Sequence, residues 1–82
     1  MSKAKQEIEI AFKNVHDTTT RAEKFAKLLA KHESDGIENY VKEFKVLYGE
    51  YHYYNKVQDA IIAETEMLGM DSEYVAKVFD EV

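Results

Sequence analysis

Apolar residues recur along this chain at helical spacing, and strand-like alternation is absent. Ile8, Ala11, Phe12 and Val15 fall at i, i+3, i+4 and i+7, predicting a first amphipathic helix over roughly residues 3 to 15. "HDTTT" interrupts it with residues that favour caps and turns. Thr20 with Glu23 three positions on reads as a capping box, and Ala22, Phe25, Ala26 and Leu29 form the buried stripe of the helix it opens. "HESDGIE" then ends that helix and starts the next, with Asp35 as N-cap and Glu38 at N3. Ile37, Tyr40, Val41, Phe44, Leu47 and Tyr48 make the third stripe; Tyr54, Val57, Ile61 and Leu68 make another. Gly69 stands where a helix-terminating glycine belongs, and Asp71 caps a last helix whose stripe is Val75, Val78, Phe79 and Val82. Met70, just before that cap, is placed to pack on Val75 as a hydrophobic staple. The expected fold is therefore all-α: one compact domain over residues 1–82, built as a bundle of four or five short amphipathic helices. Short connections predict antiparallel packing of sequential neighbours.

The segment "YGEYHYYNKV", residues 48–57, crowds four tyrosines and a histidine around Gly49. Helical phase divides it. Tyr48 and Tyr51 continue the stripe before it and Tyr54 joins the stripe after, so the apolar face swings by about a quarter turn. Either the helix breaks near Gly49 or one long helix changes the neighbour it packs against. His52 and Tyr53 fall outside both stripes and form a rim available to a partner, since tyrosine carries an apolar ring with a wet hydroxyl.

Composition narrows the function classes. The 82 residues include no cysteine and no proline, so there is no disulfide framework, Cys-based zinc site or thiol nucleophile. A reducing cytoplasm suits such a chain. The opening "MSKAKQEIEIAF" has no signal-like apolar run, and no stretch approaches the roughly 20 apolar residues of a membrane span. The net charge of −5 is unevenly placed: residues 1–45 hold nine Lys/Arg against eight Asp/Glu, whereas residues 46–82 hold two against eight. The acidic half is unsuited to nucleic acid. If DNA is touched, Arg21, Lys24, Lys27 and Lys31 on the second helix must do it.

No catalytic constellation emerges. His16, His32 and His52 lack metal-ligand spacing, and no phosphate loop, zincin or nucleophile-elbow motif occurs. His16 and His32 near helix ends are expected to serve the helix dipole and last carbonyls. Glu64, Glu66, Glu73 and Glu81 are expected to be solvated. No cofactor is implied.

The stretch "QDAIIAETEMLGMDSEYVAKVF", residues 58–79, resembles a helix–LGxD–helix segment of the small double-stranded-DNA-binding protein of T4-like phages, through Asp59, Ile62, Leu68, Gly69 and Asp71. In size and character the chain also resembles the small cytoplasmic antiholin of those phages, which would imply lysis inhibition by binding a holin's cytoplasmic part. The functional expectation is a non-enzymatic regulatory protein that binds another protein. An oligomer would cover the His52/Tyr53 rim and support a marginal core. The alternative is a small helical DNA-binding protein using the basic face of residues 21–31.

Overall fold

The computed structural model describes residues 3–48 and 54–82, with the backbone alone described at 48, 54 and 55. These residues form five α-helices and one 3-10 turn: α1 (Lys3–Ala11), α2 (Thr18–Lys31), the 3-10 turn (Glu33–Asp35), α3 (Glu38–Tyr48), α4 (Tyr54–Met67) and α5 (Ser72–Glu81). The all-α expectation holds. The tyrosine-rich residues 49–53, including Tyr51 and the His52/Tyr53 rim, lie outside the described residues.

Local chemistry moves three helix starts and ends from the positions the spacing predicts. α1 stops at Ala11 rather than near residue 15, and Asn14 adopts a left-handed φ of 62°. Asparagine tolerates that conformation, so the chain turns there while Val15 still enters the core. α2 starts earlier than a Thr20 cap would allow. Asp17 is the N-cap, and its Oδ2 accepts from the Thr20 N–H at 2.8 Å. Asp is the stronger cap, and it draws the three threonines into the first turn. Asp35 does not cap α3 either; it closes the 3-10 turn, after which Gly36 turns the chain at φ 95°. Glu38 serves that helix start instead. The main-chain N–H of its own residue, then the Tyr74 hydroxyl and, least, the Ile37 N–H hold its carboxyl below the usual carboxylate range against partial desolvation.

The "LGMD" corner forms as expected. Gly69, at φ 85°, ends α4; its N–H donates to the Glu66 carbonyl at 3.0 Å, and the Met70 N–H reaches back to Thr65 at 3.0 Å. Asp71 Oδ1 then accepts from the N–H groups of Glu73 and Tyr74 at 3.1 and 3.2 Å. Met70 and Val75 are both buried. Leu68 departs from expectation: it lies one residue past α4 and is 44% exposed, because the turn carries Met70 inward in its place.

The helices interleave rather than pack in chain order. α2 lies mainly against α4, α1 packs about equally on α3 and α2, and α4–α5 and α3–α5 contacts close the bundle. Among the described residues only α1–α2 and α4–α5 of the sequential neighbours pack substantially, which corrects the expectation from short connections. The change of face predicted around Gly49 lies outside the described residues. All four phenylalanines meet at the centre. Phe25 stacks on Phe44 with centroids 4.6 Å apart, Phe79 meets both edge-on, and Phe12 closes the far side at 6.3 Å from each. Edge and offset contacts suit the ring quadrupoles. Ile8, Leu29, Ile37, Val41, Ile61 and Val75 fill the space around them. The radius of gyration is 11.3 Å, close to the roughly 12 Å of a folded chain this long.

Candidate functional site

Two features stand out from this frame: a buried polar cluster and an exposed apolar cleft beside a row of lysines. The cluster forms where α1, the end of α2 and α3 converge. His32 terminates α2, its N–H donating to the Leu28 and Leu29 carbonyls. Its ring, expected at a helix end to serve exposed carbonyls, is only 6% exposed and lies on Tyr40 with centroids 4.4 Å apart and planes 17° from parallel. Glu7 on α1 completes the group. The Tyr40 hydroxyl donates to Glu7 Oε2 at 2.6 Å, and His32 Nε2 lies 2.9 Å from the same oxygen. That second approach is short but lacks the geometry of a ring N–H bond, so Tyr40 is the aligned partner of Glu7. Asp35 Oδ2 lies 3.7 Å from Nδ1 on the other side of the ring.

The protonation states follow from these contacts. The hydroxyl donated by Tyr40 holds the Glu7 carboxyl below its ordinary range; desolvation opposes this, and neighbouring His32, Lys31 and Lys3 reinforce it. Burial, then the hydrogen bond to Glu7 and the Glu7 charge, push the Tyr40 hydroxyl up to about 12. A cleft of about 350 Å³ opens beside the cluster between Lys3, Ala4, Gly36 and Asn39. With the carboxylate already engaged by a phenol and an imidazole, the cluster's evident work is to pin α1 onto α2 and α3. Among the described residues no group of three His, Cys, Asp or Glu side chains could hold a metal ion.

The second feature lies on the outer face of α1 and α2. Ala11 and Leu28 floor a cleft of about 320 Å³ whose edges are Ile10, Glu7 and Lys31. Ile10 is 74% exposed. Of the basic residues singled out on α2, Lys24, Lys27 and Lys31 are all exposed along one side of the helix. Arg21 is set apart from them. It is half-buried, and its guanidinium donates to the Val15 carbonyl at 3.3 Å, fastening the α1–α2 connection. The sequence reading missed Ile10 because it sits outside the core stripe, and a lone apolar residue on a polar face carries no periodic signal.

Among the described residues, a bundle of five helices with a pinned polar cluster and an apolar outer cleft edged by Lys31 and Glu7 is thus the class that fold and surface define. No protein family, curated protein or solved structure matches the chain. Among the described residues no helix is long and apolar enough to cross a membrane.

Proposed function

We propose that this is a non-enzymatic binding module that docks another protein on its α1–α2 face. One observation carries the reading: Ile10, 74% exposed, stands beside the Ala11–Leu28 cleft, with three exposed lysines following α2 alongside. A large aliphatic side chain in water beside an apolar cleft gains free energy when a partner covers both, and the lysines select an acidic partner. The resemblance to accessory proteins of T4-like phages supplies a setting, a cytoplasmic regulator such as an antiholin gripping the cytoplasmic part of a holin. His52 and Tyr53 stand in this proposal as a second contact point, tested by their alanine variants.

A photo-crosslinking residue placed at Ile10 tests the docking face. It should trap a polypeptide in extracts of the native host, and the same group at exposed Glu23 should trap none. Equal trapping at both positions, or none at either, overturns the reading. The runner-up is duplex DNA binding, favoured by the shared exposure of Lys24, Lys27 and Lys31. It requires a gel shift that weakens steeply as salt is raised and disappears when the three lysines become glutamate. The docking reading expects no shift at moderate salt.

A further inference from the structure

We infer that the occupant of the α1–α2 cleft is the α4–α5 corner of a second copy of this chain, so that molecules associate head to tail. The inference rests on reading that cleft as a docking face. Its observation lies on the opposite partner surface. Met67 is 79% exposed and Leu68 44%, two large apolar residues adjacent in sequence where α4 ends. Leu68 continues the apolar spacing of α4, yet the Gly69 turn takes Met70 into the core and leaves Leu68 outside.

Charge makes corner and cleft complementary. Glu64, Glu66, Asp71 and Glu73 surround Met67 and Leu68 in sequence, and no lysine or arginine occurs between residues 57 and 76. The cleft offers the reverse on its α2 side: Lys31 lines it with apolar Ile10, Ala11 and Leu28, and exposed Lys24 and Lys27 precede Lys31 on the same helix. The one carboxylate at its edge, Glu7, is already engaged by Tyr40 and His32. An acidic, apolar projection thus matches a basic, apolar recess on the same molecule. A single corner-in-cleft contact per pair is heterologous and grows into rings or short chains, whereas a two-fold dimer would have to seat both corners at once. One corner in one cleft is a small contact, below the roughly 1,200 Å² of stable complexes, so association is weak and falls as salt screens the lysines.

Sedimentation of the purified chain at high protein concentration tests this with two variants at exposed positions, Ile10→Asp and Met67→Asp. The wild type should sediment above monomer mass, less so at raised salt. Each variant alone should be monomeric, its affinity lowered roughly tenfold or more. Mixed together they should form a one-to-one dimer, because Ile10→Asp keeps a working corner and Met67→Asp a working cleft. An interface that pairs cleft with cleft or corner with corner gives no such rescue. Circular dichroism melts matching the wild type establish that both variants fold. A monomeric wild type, or no rescue on mixing, overturns the inference. If Ile10 still traps a different polypeptide in host extract, the docking face survives that result and only its occupant changes.

Discussion

Glu7 shows how one half-buried carboxylate can organise three helices. Its Oε2 receives the Tyr40 hydroxyl and faces His32 Nε2, so α1 is tied to both α3 and the end of α2. Tyr40→Phe removes the aligned partner and should lower stability by about 1.5 kcal/mol, the scale of a hydrogen bond to a charged group. The same variant changes the pH profile. Tyr40 binds its proton more tightly folded, at about 12, than at its ordinary 10.0. Its contribution is therefore complete below pH 10 and is lost as pH rises from 10 towards 12. Glu7 works in the other direction: its lowered value stabilises the fold above 4.5 and that gain fades as pH falls through the folded value. Denaturant midpoints measured across pH should show Tyr40→Phe with a shallower loss on both sides. Tyr74, whose hydroxyl Glu38 also holds up, retains part of the alkaline limb. Little of this was legible beforehand. Periodicity places Tyr40 in the core, but its pairing with Glu7 spans 33 residues, and no local pattern marks a histidine at a helix end for burial.

Helix boundaries are where local chemistry speaks most directly, and where it also misleads. The α4–α5 corner could be read off the sequence because Gly69 and Asp71 each satisfy a local requirement: a left-handed turn and two main-chain acceptor bonds. Asp35, in an equally cap-like setting, was misread, since His32 beside it and Glu38 after it compete for the same geometry. The two aspartates consequently differ under substitution. Asp71→Ala should cost about 1 kcal/mol by exposing two N–H groups at the start of α5. Asp35→Ala should cost markedly less, because no α3 N–H depends on it. Gly69→Ala meets no obstructing atom within 4 Å but places a side chain at φ 85°, so its cost is the backbone strain alone, about 1 kcal/mol. Urea titrations of the three variants, with unchanged slopes, would order them.

At the scale of the molecule, the four phenylalanines and the capping lysine of α3 predict opposite kinds of failure. Helical stripes identify most of the described core residues, failing at Leu68 and Val82, which end their stripes and are exposed, but they do not say which helix meets which. The α1–α3 and α2–α4 pairings arise from the fit of whole faces, and Phe25 against Phe44 is a product of that fit. Phe44→Ala removes a ring that touches Phe12, Phe25 and Phe79 together, at a cost of about 3–5 kcal/mol. A domain of this size holds only about 4–12 kcal/mol in all, so all helices should melt at a lower temperature and in one transition. Lys45 acts elsewhere. Its ammonium donates to the main-chain oxygens of Phe79 and Val82 at 2.7 and 2.6 Å, closing the C-terminal end of α5 from α3. Lys45→Met keeps the aliphatic stem and loses those bonds, so only the last turn of α5 should open. Amide hydrogen exchange separates the two outcomes: Lys45→Met should speed exchange around residues 78–82 alone, while Phe44→Ala should speed it along every helix that shares the aromatic centre. Uniform acceleration in Lys45→Met would mean that α5 is held by its cap rather than by Val75, Val78 and Phe79.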